Sequence, residues 1–454
     1  METAWNKYNK TELKKVMSIS EDYKKYLDSS KTEREAVDTA IELARKAGFK
    51  SLDEYKTLKA NDKVYVSNRG KSLVLFIIGK ESMDKGMNIL GAHIDSPRLD
   101  IKQNPLYETE GLVLMDTHYY GGIKKYQWVA TPLALHGVIC KKDGTTVKVA
   151  LGEKEDDPVL EISDLLPHLG ADQMSKTGAK VVEGEDLNAL VGSIPKKDEE
   201  KEAVKANILD LLKKEYGIEE ADFVSAELEL VPAGKARDLG FDRSMILGYG
   251  HDDRICGYTS LRAILETKEP KRTSCCILSD KEEVGSMGNS GMQSAFFVDT
   301  IAEVMEKKGD YSELNLRRSL SNSYMLSSDV SAAYDPNYPS VNEPKNTAYF
   351  GKGICFNKYT GSRGKGGSSD ANPEYIAKVR KVMDDNKISF QTSELGKVDQ
   401  GGGGTIAYIL ANMNMEVIDA GIAVQNMHSC YESASKADIY EAYRAYLAFL
   451  KDMK

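Results

Sequence analysis

At 454 residues the chain exceeds what a single hydrophobic core organises, so two domains, or one domain with a large insertion, are expected. Its 61 Lys+Arg against 70 Asp+Glu give a formal net charge of -9, which argues against a global polyanion-binding surface and so against a nucleic-acid partner. The longest apolar stretches, such as LVLFII, fall far short of the roughly 20 residues that span a bilayer, and the polar start METAWNKYNK is no signal peptide. A cytoplasmic protein with no membrane association is expected. Six cysteines without CxxC spacing suit reduced thiols better than a disulfide frame or a thiolate metal site.

In chain order, the charged residues 11–47 read as helical and lead into the strands SLVLFIIGK and MNILGAHID. From about residue 101 to 240 the pattern changes. LVLMDTHYYGG, WVATPLALHGVIC and TTVKVALG look like β-hairpin material, followed by the acidic turn EKEDDP, a Lys- and Glu-rich helix over residues 196–216 and the strand FVSAELELV. From residue 245 onward strand and helix alternate, with RICGYTSLRAILE, PEYIAKVRKVMDD, GGTIAYILANM and DIYEAYRAYLAFLKD as the helices. This alternation predicts an α/β fold with a mixed, mostly parallel sheet flanked by helices. Residues 101–240 are then a β-rich insertion into one α/β domain made of residues 1–100 and 241–454.

Acidic residues and histidines recur at the ends of the apolar runs: GAHID (His93, Asp95), GHDDR (His251, Asp252, Asp253), SDKEEVG (Glu282, Glu283), SSD (Asp329) and MHS (His428). The runs ILSDKEE, SYMLSSD and IAVQNMH read as short buried strands ending in a polar group, where open α/β sheets place their chemistry. Two histidines with three or four carboxylates form a ligand set for two divalent cations. Zinc, cobalt or manganese suits it, because imidazole with carboxylate is neither soft enough for copper(I) nor oxygen-only as for calcium. Taken singly, each element has a plainer reading. An HxD histidine is commonly structural, Glu282 and Glu283 could be a solvated turn, and Asp252 or Asp253 could cap the helix RICGYTSLRAILE while the other ligates. The ordered series points to metal.

Together GAHIDSPRLDIK, YYGG, LPHLG, DDRICG, DKEEVGS, SSD, GGGGT and MHS resemble the M18 metalloaminopeptidases, the aspartyl aminopeptidase and aminopeptidase I group, over nearly the whole chain. The resemblance implies a di-metal aminopeptidase fold whose inserted β-rich domain dimerises. It also implies hydrolysis of the N-terminal residue, acidic or neutral, from peptides with a free N-terminus. It makes Asp252 the bridging carboxylate, with His93 and Asp329 completing one metal site and Glu283 and His428 the other; Asp253 is the alternative bridge. Glu282 becomes the general base, and Asp95 orients His93. In the enzymes resembled, dimers build a tetrahedral dodecamer, and the histidine matching His168 enters the neighbour's active site, where it stabilises the oxyanion.

The residue chemistry is compatible with these roles. Two cations that share a water and hold a peptide carbonyl need a bridging carboxylate with unlike ligands on either side. Glu282, beside a ligand but not one, can take the proton and return it to the leaving amine. Asp95, two residues after His93, can accept the other ring N–H. The loop NKYTGSRGKGGSSDAN brings Lys358, Arg363 and Lys365 to a position where they could line the pocket for the first side chain, or simply form a basic surface loop. The glycine run before TIAYILANM lacks a Walker lysine, so close backbone approach to the metal site at a helix N-terminus is expected instead. A di-metal amidase or deacylase, and a non-catalytic scaffold that retains the fold, stay open as alternatives.

Overall fold

The computed structural model describes residues 2–454. The chain forms two compact units: residues 2–95 with Ala236–Met427 and Glu432–Lys454, and Ser96–Lys235 with His428–Tyr431. The first unit is a mixed α/β layer structure. Its nine-stranded sheet has at its centre four parallel strands, in the order Thr273–Ser279, Met87–His93, Tyr324–Ser327 and Glu416–Gly421. Antiparallel strands flank them, Ser72–Ile77 on one side and Ile354–Asn357 on the other.

Side chains alternate across a strand, and the sequence uses both faces. In Ser72–Ile77, Leu73, Leu75 and Ile77 join one core with Val16, Ala40, Leu261 and Tyr446, while Val74 and Phe76 join another with Phe297, Ile301 and Leu410. Helices thus cover both faces, and the central strands are continuously apolar because neither side meets water. Every residue of Met87–His93 and of Thr273–Ser279 is buried.

The helical start divides into Lys10–Asp28 and Glu33–Lys46, each opened by a capping box, Asn9 with Glu12 and Thr32 with Glu35. A smaller five-stranded sheet in this unit joins Arg237–Leu239, Met245–Gly248, Glu432–Ser435, Ala423–Gln425 and Ser331–Ala332. The strand expected before His428 is therefore only Ala423–Gln425, and it belongs to this small sheet rather than to the parallel core. The helix expected over GGTIAYILANM is reduced to Ala407–Ala411, since glycines precede it and Asn414 adopts φ 66° soon after.

The second unit is built on a six-stranded antiparallel sheet, in the order Thr146–Leu151, Leu133–Cys140, Ala226–Pro232, Arg98–Thr109, Leu112–Tyr120 and Ala189–Gly192. Its helix runs Ala203–Tyr216, later than the expected start at residue 196. Pro195 and the positive φ of Asp198 and Glu202 keep the preceding residues out of it. Among the described residues no helix is long and apolar enough to cross a membrane.

Candidate active site

Parallel pairing in the register Ser279↔His93 and Ser327↔Gly91 brings the residues that follow three strands to one end of the sheet. His93 closes its own strand, Glu282 and Glu283 follow on one side, and Asp329 follows on the other. Gly421 makes room beside Asp329, whose main-chain oxygen a Cβ at that position would strike.

His93 Nε2 lies 3.2 Å from Asp252 Oδ1, 3.9 Å from Glu282 Oε2 and 4.0 Å from Asp329 Oδ1. Its Nδ1 is 3.0 Å from the Asp95 main-chain oxygen and 3.3 Å from Asp95 Oδ1. A carbonyl oxygen can only accept, so in the neutral ring the proton sits on Nδ1 and Nε2 turns a lone pair toward the carboxylates. Burial disfavours an imidazolium here, but hydrogen bonding to Asp252 and Asp95, with Asp329 and Glu282 nearby, outweighs it and holds His93 well above its ordinary pKa. Burial and the charges of Asp253, Glu282 and Asp252 likewise lift the Asp329 carboxyl well above the usual carboxylate range. So many buried acceptors facing one point call for added positive charge, a proton or a metal ion. One ligand atom each from His93, Asp252 and Asp329 lies within 4.8 Å of the others, as do atoms of His93, Glu282 and Glu283. This donor set fits a divalent ion of the zinc, cobalt or manganese type.

The supporting contacts are as specific as the cluster. Fully buried Asp95 accepts the Glu282 N–H on Oδ1 at 3.1 Å and the Glu283 N–H on Oδ2 at 3.2 Å. It thereby places both glutamates, in addition to standing beside the His93 ring. Asp252 and Asp253 are joined by a cis peptide and have non-helical backbone angles at the start of His251–Glu266. The chain kinks at this pair, so the two acids stand directly before RICGYTSLRAILE, where the sequence places a cap for that helix. Asp253 Oδ2 accepts the His93 N–H at 3.3 Å, and the Asp252 N–H goes to Glu432 Oε2 at 3.0 Å. Arg254, fully buried, donates from Nε to Ile94 O at 3.1 Å and from Nη2 to Lys31 O at 2.8 Å, which pins the turn between His93 and Asp95. His251 stands outside the ligand groups. Its Nδ1 accepts from the Tyr23 hydroxyl at 2.7 Å, its Nε2 donates to Ile246 O at 3.3 Å, and burial lowers its pKa to about 4, so the ring is neutral.

Residues 26–450 match the family model described as aminopeptidase I zinc metalloprotease (M18). The chain belongs to the M18 family. It is 60% identical over 454 residues to a probable M18 family aminopeptidase 1 of Clostridium acetobutylicum, covering 99% of this chain and 98% of the relative. A crystal structure of an M18 family aminopeptidase from Thermotoga maritima superposes with a TM-score of 0.96 at 43% identity, over 99% of each chain. The mApe1 dodecamer of Saccharomyces cerevisiae shares the fold, with a TM-score of 0.78 at 22% identity over 96% of this chain and 97% of that one. The chain is thus a metalloaminopeptidase, a hydrolase with the mixed α/β fold of the M18 enzymes.

The remaining sequence candidates of this M18 chain are His428, His168 and the basic residues Lys358, Arg363 and Lys365. His428 falls in the second unit, has φ 65° and donates from Nδ1 to Gly122 O at 2.8 Å, which leaves Nε2 as its lone-pair nitrogen. His168 is exposed in a turn of the same unit. Arg363 and Lys365 line a cleft of about 350 Å³ with Tyr359, Glu394, Lys397 and Asp399, and Lys358 borders a neighbouring cleft of about 310 Å³. Two of these cations are already engaged, since Lys358 and Lys365 reach Asp370 at 2.6 and 2.9 Å. The glycine run does make close backbone approaches, but Gly401 abuts Leu395 and Gly402 abuts Gly361 rather than the His93 group.

Nothing in local spacing pointed to Glu432 or Tyr23. Arg254, directly after the acid pair, was the supporting residue with a signal.

Proposed function

We propose that this M18 aminopeptidase removes an acidic or neutral N-terminal residue from peptides with a free α-amine, using two divalent ions per subunit, zinc by preference and cobalt or manganese as alternatives. The observation that carries the reading is the convergence of Asp252, Glu282 and Asp329 on His93 Nε2. His93, Asp252 and Asp329 hold one ion, and Asp252, Glu283 and His428 the other, with Asp252 as the bridge. When bound, the ions supply Lewis acidity, acidifying water and polarising the peptide carbonyl. Glu282 takes the proton of the attacking water and delivers it to the scissile nitrogen. Asp95 keeps His93 in the Nδ1–H form and holds the two glutamates in place.

Lys358, Arg363 and Lys365 select the first side chain. With Asp370 neutralising two of them, an incoming carboxylate gains less than three free cations would provide, in keeping with a pocket that accepts neutral residues as well. Metal analysis of the purified protein, with a panel of aminoacyl-anilides beside N-acyl amino acids, tests the whole reading. Two ions per subunit with anilide hydrolysis are expected. Turnover of N-acyl amino acids alone would move the chain to the amidases and deacylases, and an inert, metal-free protein would make it a scaffold.

The second unit serves as the dimerisation domain, and dimers build a tetrahedral dodecamer; the dodecameric yeast relative supports this. His168 crosses to the neighbour's site and donates to the carbonyl oxygen as charge develops. His168→Ala and Glu282→Gln proteins are each expected to be nearly inactive, yet to regain about a quarter of wild-type activity when dissociated and reassembled together, because one site of each mixed pair then has both residues. Mixed dimers that stay inactive would remove His168 from the neighbour's catalysis.

A further inference from the structure

Glu432 opens the strand Glu432–Ser435, pairs with Gly248 and is only 1% exposed. Its Oε2 accepts the Asp252 N–H at 3.0 Å. Asp252 lies at a kink with non-helical backbone angles, and a buried main-chain N–H at such a point needs an acceptor from outside a helical ladder. That acceptor comes from a strand some 180 residues further along the chain. A buried carboxylate is an expensive choice beside an acidic cluster, and a neutral oxygen could satisfy one N–H. The carboxylate provides a stronger, charge-assisted bond, directed at the one residue whose own carboxylate lies 3.2 Å from His93 Nε2.

We infer that Glu432 is a positioning residue for metal binding: by holding the Asp252 main chain outside the helical conformation, φ -82° and ψ 107°, it keeps the Asp252 carboxylate aimed at the His93 group. The inference rests on Asp252 being a metal ligand. Other contacts fix the neighbouring residues, with Tyr23 on His251 and His93 on Asp253, and the Asp252 N–H itself is held by the Glu432 side chain.

The test titrates metal-stripped protein with Zn²⁺ in competition with a chromophoric chelator and records the visible spectrum of the Co²⁺ form. Wild type, Asp252→Ala, Glu432→Leu and Glu432→Gln are compared, with circular dichroism as the check of folding. Glu432→Leu is expected to weaken binding about 10- to 100-fold, the range for partners that orient metal ligands, and to change the Co²⁺ spectrum. Glu432→Gln, whose amide oxygen can still accept the N–H, is expected to recover part of the loss. Folded Glu432→Leu protein with wild-type affinity and spectrum would overturn the inference, reducing Glu432 to a structural acceptor for one main-chain N–H. Glu432→Gln no better than Glu432→Leu would also overturn it, because the hydrogen bond would then not be what matters. Should Glu432→Leu fail to fold, Glu432→Asp, one methylene too short to reach, takes its place with the same reading. Wild-type binding by Asp252→Ala would instead defeat the ligand assignment underneath.

Discussion

Glu282→Gln protein is expected to fold normally, keep its full metal content and lose about 10²- to 10⁴-fold in kcat, the usual worth of a positioned general base. The substitution is nearly isosteric and leaves the main chain alone, so the Asp95 carboxylate still accepts the N–H of residue 282 and that of Glu283. What changes is the side chain 3.9 Å from His93 Nε2, which can no longer carry a proton. Steady-state kinetics on an aminoacyl-anilide, paired with metal analysis of the same preparation, reads both quantities. A variant with full metal content and most of its activity would take Glu282 out of the mechanism.

Asp252→Ala is expected to abolish the binding of both ions, whereas Asp253→Ala keeps at least one. A bridge serves two cations at once, and Asp252 is the acid whose Oδ1 lies 3.2 Å from His93 Nε2. Asp253 meets the same histidine through its main chain, accepting the His93 N–H at 3.3 Å. Its loss therefore loosens the end of the strand without deleting a ligand, an effect of about 10- to 100-fold on affinity. Metal content after dialysis separates the two variants. Complete loss in Asp253→Ala with retention in Asp252→Ala would exchange the two assignments.

The central sheet was legible because a strand buried on both faces must be apolar throughout, as SLVLFI and MNILGAH are, and because the polar residue ending such a run has few places to go. His93, Glu282 and Asp329 were located by that pattern. The placement of IAVQNMH was not legible, since a short apolar run carries no information about which sheet it will join. Ala423–Gln425 pairs within the five-stranded sheet. The Asp252–Asp253 pair was legible only in part. Local rules favour an aspartate just before a helix, and the pair stands there at a kink, but the acceptor for the Asp252 N–H, Glu432, arrives through tertiary structure with no spacing signal. The double grip of Asp95 on Glu282 and Glu283 was equally hidden, because main-chain donors leave no mark in the sequence.

The order of strands has a consequence for how the molecule comes into being. Met87–His93 lies between Thr273–Ser279 and Tyr324–Ser327, with the whole of Ser96–Lys235 intervening in the chain before either neighbour. On the ribosome, the hairpin of Lys63–Asn68 and Ser72–Ile77 can close as soon as it emerges, since its contacts are local. Met87–His93 must then wait with two unpaired edges and two apolar faces, a state prone to association with other chains. The residues gathered around His93 are therefore assembled late, only after Tyr324–Ser327 and the Asp329 that follows it have been made.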